Sequence, residues 1–214
     1  MRRRTARWAV VTDFDGTVTL KDVGDVLLIH FKAATREQIE QAYSPEVDMK
    51  AWMKKFFRPL NATKAEAEAF VLASTRLRGG FRELAGFCAR KRFPLEIVSG
   101  GVDLYIDCLL KAWKLKVKSY RGRARFKRGG VLVDYPHMKG SSLDDFKAAR
   151  VRRYQRLGYR VAFCGDATTD IKAARIADAV FAAKKLWTFC RNTGLPGRRL
   201  KNFSGVTQLL SRPS

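Results

Sequence analysis

The feature that most constrains this chain is a series of short apolar runs separated by longer stretches of helical period. The runs are Trp8–Thr12 (WAVVT), Pro94–Val98 (PLEIV), Leu115–Val117, Arg160–Cys164 (RVAFC) and Ala179–Ala182 (AVFA). A strand with one face in water alternates apolar and polar residues, whereas a near-continuous apolar run belongs to a strand covered on both faces. Most of these runs are of the second kind, and each is followed by a turn and a helical stretch. The expectation is an α/β fold, a mostly parallel sheet with helices packed on both sides.

Two regions depart from strict alternation. Between the first two runs lie about 80 residues of entirely helical character, too many for one crossover, which implies an inserted helical subdomain. Within it, Ser44-Pro45 is expected to open a helix carrying Met49, Trp52, Met53 and Phe56 on one face. Thr63-x-x-Glu66 reads as a capping box opening another helix through Leu77, ended by Gly79-Gly80. Farther on, Arg121–Tyr135 reads as a β-hairpin turning at Gly129-Gly130.

Composition narrows the function classes. The 46% apolar content of 214 residues is enough for a core and excludes a disordered or collagen-like chain. No window approaches the roughly 18 uncharged apolar residues of a membrane span, and Trp8–Val11 is too short for a signal peptide, so a cytoplasmic protein without membrane partners is expected. Cys88, Cys108, Cys164 and Cys190 form no CxxC pair, and His30 and His137 complete no zinc spacing. The 43 Lys+Arg against 20 Asp+Glu give a net charge of +23, a field that concentrates phosphates, nucleic acid or an anionic surface without choosing among them.

The first run ends in Asp13-Phe14-Asp15-Gly16-Thr17-Val18-Thr19. Two carboxylates at the end of a buried strand repel each other in a low-dielectric site and call for a cation. In open α/β sheets the ligand crevice lies at the carboxyl ends of the strands, and the run RVAFC delivers Gly165-Asp166-Ala167-Thr168-Thr169-Asp170 to that same edge. Oxygen ligands with open water positions favour Mg2+. Ser99-Gly100-Gly101 follows PLEIV and is expected to open a helix with amides facing an anion, and Lys139 is the candidate point charge for the same group.

In this order, DFDGTVT, VSGG, a downstream lysine and GDATTD resemble the four motifs of the haloacid dehalogenase superfamily. The helical insert directly after the first motif resembles the small cap of its phosphoserine-phosphatase-like branch. Within that branch the stretches from Gly80 to Asp103 and from Gly165 to Asp170 are most similar to the 2-hydroxy-3-keto-5-methylthiopentenyl-1-phosphate phosphatases of methionine salvage. The resemblance implies a Rossmann-like three-layer core, residues 1–19 and 80–214, with a helical cap at 20–79 and the hairpin as an excursion. It further implies an Mg2+-dependent phosphomonoester hydrolase of a small phosphorylated metabolite. Asp13 would be the nucleophile and Asp15 the general acid and then base. The side chains of Asp13 and Asp166 and the backbone carbonyl of Asp15 would hold the metal, and Ser99, Gly100 and Lys139 the phosphoryl oxygens. Thr17 would orient Asp15, and Asp170 a metal-bound water or Lys139. Asp22 falls where phosphoserine phosphatases place an acidic residue against the substrate amine, though it reads equally well as a helix N-cap. Met53 stands where those enzymes carry an arginine for the substrate carboxylate, with Arg58 the nearest alternative.

A second reading has the same scaffold act on nucleic acid ends or bind a polyanion. Lys114, Lys116 and Lys118, then Arg121, Arg123, Arg125 and Lys127, alternate with smaller or apolar residues, which lines up bases on strand faces. A solvated, solubilising hairpin is the plainer account of those charges. Oligomeric state is not encoded in any pattern of this kind.

Overall fold

The computed structural model describes residues 7–44 and 46–212. In chain order the elements are β1 (Trp8–Thr12), α1 (Val23–His30), α2 (Arg36–Gln41), α3 (Met49–Phe57), α4 (Lys64–Ser74), α5 (Phe81–Lys91), β2 (Leu95–Val102), α6 (Asp103–Ala112) and β3 (Lys118–Lys127). They continue with β4 (Gly130–Asp134), α7 (Leu143–Arg156), β5 (Arg160–Gly165), a 3-10 turn at Thr168–Asp170, α8 (Ile171–Ala174), β6 (Ala179–Ala182), α9 (Lys184–Thr193), β7 (Arg198–Arg199) and α10 (Ser204–Ser211). The strands form one sheet of order β4-β3-β2-β1-β5-β6-β7, in which β4 alone runs antiparallel to its neighbour.

The apolar runs are explained by the layers on either side. In β1, Trp8 and Val10 point into one hydrophobic cluster and Ala9 and Val11 into another on the opposite face. Every residue of β1 is buried, so no position on it can be polar without a partner. Burial of each Val or Leu stabilises by about 1.5–3 kcal/mol, and β1, paired to β2 and β5 on its two edges, is the centre of the fold.

Helices α1 to α4 all lie between β1 and α5, as the helical insert requires. The capping box of α4 is present, with Thr63 N donating to Glu66 Oε2 at 2.7 Å and Glu66 N to Thr63 Oγ1 at 3.2 Å. That helix ends at Ser74 rather than Leu77, because Leu77 is drawn into a bridge with Thr19. Pro45 lies outside the described residues; α3 begins at Met49 with Asp48 as its N-cap, and Trp52, Met53 and Phe56 are buried. Gly80, in the left-handed region at φ 81°, starts α5 rather than ending α4.

The third strand is displaced from its expected place. Leu115–Val117 form the connector after α6, which Lys114 ends in the left-handed conformation, and β3 starts at Lys118. The hairpin is present but its turn is Arg128-Gly129, since Gly130 already pairs with Lys127. A side chain at Gly130 is excluded: a Cβ there would sit 1.9 Å from the Arg58 carbonyl. Ser99-Gly100-Gly101 also differ from expectation. They belong to an irregular end of β2, where pairing to β3 shifts between Val98 and Val102, and α6 starts only at Asp103.

Candidate active site

The site is built at the carboxyl end of β1. Asp13 N donates to the Cys164 carbonyl at 2.9 Å, which carries the β1–β5 pairing one residue past the strand and fixes the first carboxylate at the sheet edge. Gly16 then turns the chain at φ 65°; a Cβ on it would fall 2.0 Å from Asp166 Oδ2 and 2.2 Å from Lys184 Nζ. Beneath this turn the buried Arg78 donates to the carbonyls of Thr17 (2.6 Å) and Gly16 (2.7 Å), holding the loop from the cap side of the chain.

The ammonium among these carboxylates belongs to Lys147, not Lys139. Lys147 is buried on the first turns of α7, 3.1 Å from Asp13 Oδ1 and 2.6 Å from Asp170 Oδ1. Burial by itself would lower its pKa, but the two carboxylates hold it above the ordinary lysine value. Lys139 is exposed on the turn between β4 and α7. Only a lysine carried on a helix packed against the sheet can place its charge inside, because the helix supplies the apolar neighbours that cover its stem.

Asp15 occupies the other side of the same cavity. Its Oδ1 accepts from Val23 N at 2.9 Å, and its Oδ2 accepts from the Tyr105 hydroxyl at 2.9 Å and, more loosely, from Ser99 Oγ at 3.4 Å. Burial, then the charges of Asp22 and Asp13, push its pKa well above the carboxylate range against those hydrogen bonds. Gly101 is required here because a Cβ would meet the Tyr105 hydroxyl at 2.1 Å and Asp15 Oδ2 at 2.6 Å. Ser99 and Gly100 both line the cavity, and the Gly100 carbonyl accepts from Tyr135.

Asp166 completes the edge. Lys184 Nζ lies 2.8 Å from its Oδ2 and Thr17 Oγ1 lies 3.4 Å from its Oδ1, so Thr17 faces Asp166 and not Asp15. Burial raises the Asp166 pKa to about 6 against the pull of Lys184. Asp170 is fully buried; its Oδ2 accepts from the Asp166 and Ala167 amides and its Oδ1 from Lys147. Carboxylate oxygens of Asp13, Asp166 and Asp170 lie within 4.8 Å of one another, a set of hard donors that suits a divalent cation. Both oxygens of Asp170 are committed to amides and to Lys147, whereas Asp13 engages Lys147 through Oδ1 and Asp166 holds Thr17 through Oδ1 only at 3.4 Å.

The remaining wall of the cavity is acidic and apolar. Asp22 is the N-cap of α1, accepting from Asp25 N at 2.9 Å, and it also lines the cavity. Tyr43 donates to Asp25 and reaches Asp22 Oδ2 at 3.3 Å. Burial and the Asp22 charge raise Asp25 to about 7. Met49, Trp52, Met53 and Leu143 supply the apolar surface. Arg58 is turned away, lining a separate hollow with the β3–β4 turn, and Lys147 is the one base lining the active cavity among the described residues.

Lys147, Lys184, Tyr105 and Arg78 are absent from the sequence-level site. A signal for Lys147 existed: Leu143, Lys147 and Val151 are four residues apart, so the lysine falls on the buried stripe of an amphipathic helix. For the other three the contact is made across the fold and nothing local marks it.

Comparison with known proteins agrees with this geometry. Residues 10–175 match the haloacid dehalogenase-like hydrolase family. The 2-hydroxy-3-keto-5-methylthiopentenyl-1-phosphate phosphatase of Geobacillus thermodenitrificans is 30% identical over 207 residues, 94% of each chain. Its counterpart in Geobacillus kaustophilus is 29% identical over 97% of each. Among solved structures, a substrate-bound phosphoserine phosphatase superposes with a TM-score of 0.74 at 14% identity, covering 97% of this chain and 99% of the other. A haloacid dehalogenase family hydrolase from Salmonella enterica gives 0.75 at 19% identity, covering 99% and 73%. The chain belongs to the haloacid dehalogenase-like hydrolases, and both Geobacillus relatives are phosphatases.

Proposed function

We propose that this enzyme is a phosphomonoesterase working through an aspartyl phosphate, with residues 1–19 and 80–214 as its catalytic core and 20–79 as a cap over the leaving group. The observation that carries the reading is the division of labour between two aspartates two residues apart. Asp13 lies against Lys147, and Asp15 lies across the cavity with its proton favoured and its orientation set by Val23 and Tyr105.

In this reading Asp13 attacks phosphorus as the ester bond breaks, and Asp15 gives its proton to the departing alkoxide. Asp15, now ionised, takes a proton from the water that cleaves the acyl phosphate and returns the site to its starting state. Lys147 and the Ser99–Gly101 segment stabilise the phosphoryl oxygens as charge builds, while Asp170 holds Lys147 in place. Asp13, Asp166 and the Asp15 carbonyl would hold Mg2+, which supplies charge neutralisation for the phosphoryl group when bound.

The cavity supports a small metabolite that carries no carboxylate. A substrate carboxylate needs an unpaired cation, and Lys184, the ammonium beside Asp22 and Asp25, is already paired with Asp166. This fits the hydroxylated, thioether-bearing phosphate named for the Geobacillus relatives better than phosphoserine. Polynucleotide ends are disfavoured as substrates, because Arg121 and Arg125 of the hairpin are paired to Asp107 and Asp134. Phosphate release from an aryl phosphate with Mg2+, with and without chelator, tests the chemistry. A panel of phosphoserine, the methylthio-ketopentenyl phosphate, sugar phosphates and phosphorylated oligonucleotides then tests the leaving group. Undiminished hydrolysis in chelator would sink the site as drawn.

A further inference from the structure

The catalytic residues use one edge of the sheet; the opposite edge carries a different chemistry. The parallel strands β1, β2, β3 and β5 all start there, as do the connectors that enter them. Exposed bases crowd these starts: Arg92 before β2, Lys114, Lys116 and Lys118 at β3, Arg160 at β5, and Arg7 at β1. Helices α5, α6 and α7 end at the same level with Arg90, Lys91, Lys111, Arg153 and Arg156 in their last turns. Bases at helix C-termini offset the macrodipole, which accounts for the second group. It does not account for the first.

Two further observations separate this edge from an ordinary solvated surface. The carboxylates that the strands and connectors bring here are Glu96, paired with a base, and Asp178, exposed and hydrogen-bonded to neutral donors. Glu96 is fully buried and accepts from Arg150 at 2.6 and 2.8 Å and from Tyr154 at 2.8 Å; Asp178 accepts from Val161 N at 2.9 Å and Gln155 Nε2 at 3.2 Å. None of the strand-start bases pairs with a carboxylate among the described residues. Several are also held in place: Arg160 lies 4.5 Å from the Trp8 ring, Arg7 4.6 Å from Tyr159 and Lys118 5.0 Å from Tyr120. A base fixed over an aromatic face loses less rotamer entropy when it meets an anion.

From β3 to β5 the row crosses three strand spacings, about 14 Å, which presents several charges to one chain of phosphates rather than to one phosphate. We propose that the amino-terminal edge of the sheet is a docking surface for the backbone of a nucleic acid, independent of base sequence and separate from the hydrolytic site. Fixed positive charge that outnumbers the exposed carboxylate of Asp178, and aromatic rings already covered by bases, favour phosphate contacts over base stacking.

The test is fluorescence anisotropy of the full chain with a labelled mixed-sequence RNA of about 20 nucleotides across a salt series. Log affinity should fall linearly with log salt. Changing Lys114, Lys116 and Lys118 together to Glu should weaken binding at low salt by at least about tenfold and reduce the slope by roughly 2, at about 0.7 per lost single-strand phosphate contact. Aryl-phosphate hydrolysis of that variant should stay within about twofold of the parent, which also reports that it is folded, because β1 alone separates the two edges by about 17 Å. Should it fail that check, Arg7→Glu with Arg160→Glu at the starts of β1 and β5 gives an independent variant of the same row. Salt-insensitive or absent RNA binding overturns the proposal, as does binding that survives both variants. Preference for phosphatidylserine vesicles over RNA overturns it in favour of a membrane surface.

Discussion

The two edges of the sheet handle buried carboxylates in opposite ways. At the amino edge Glu96 is enclosed by Arg150 and Tyr154, and its charge is met by the Arg150 guanidinium. At the carboxyl edge Asp13, Asp15, Asp22, Asp25, Asp166 and Asp170 share Lys147 and Lys184, and most of them have pKa values pushed up by burial and by one another. A matched buried ion pair is a structural device, whereas an unmatched cluster is tolerable only where something from outside completes it. The difference marks the carboxyl edge as the one with unmatched buried charge, without reference to any motif.

The largest effect that would sharpen the contrast is at the nucleophile. Asp13→Asn should abolish turnover and leave no acid-stable, hydroxylamine-sensitive phosphoenzyme in a quench experiment. Asp15→Asn should slow turnover by about 10²–10⁴-fold, the usual worth of a positioned acid and base, while phosphate release from any trapped intermediate slows with it.

Lysine and arginine replacements probe the comparison directly. Lys147→Met and Arg150→Met each strand a buried carboxylate and should each cost about 3–5 kcal/mol in denaturant unfolding. Only the first should also remove activity. Lys139→Met, on an exposed turn, should change neither. If Arg150→Met lowered kcat as much as Lys147→Met, the two edges would not be functionally distinct.

A smaller effect follows from Asp25, whose carboxyl is raised to about 7 by burial and the Asp22 charge. The unfolded chain ionises this group near its ordinary value, so between that pH and about 7 the folded state holds the extra proton. Stability contributed by this group therefore falls as pH rises through that window and levels off above it. Asp25→Asn should flatten the fall and raise the melting temperature near pH 8 by a few degrees, at about 2–4 °C per kcal/mol for a chain of this size. The smallest effect belongs to the hairpin: Arg125→Ala removes an exposed pair with Asp134 and should cost no more than about 1 kcal/mol.

Legibility followed the reach of each interaction. WAVVT and RVAFC could be read as central strands because a strand covered on both faces must be apolar at successive positions, and that constraint acts residue by residue. Leu115–Val117 misled because an apolar connector packed on the core has the same composition as a strand. Asp13, Asp15 and Asp166 were legible because charge at the end of such a strand is costly unless it serves a purpose.

By itself, then, the sequence determined the layered α/β architecture and the sheet edge at which Asp13, Asp15 and Asp166 gather, since both follow from local period and from where a strand stops. Only the tertiary structure decided which lysine meets Asp13, that Tyr105 and Val23 orient Asp15, that Thr17 serves Asp166 and that Arg58 faces away from the cavity. Those pairings join residues from 8 to 149 positions apart, and helical period marks Lys147 as a buried position without saying which carboxylates it meets there.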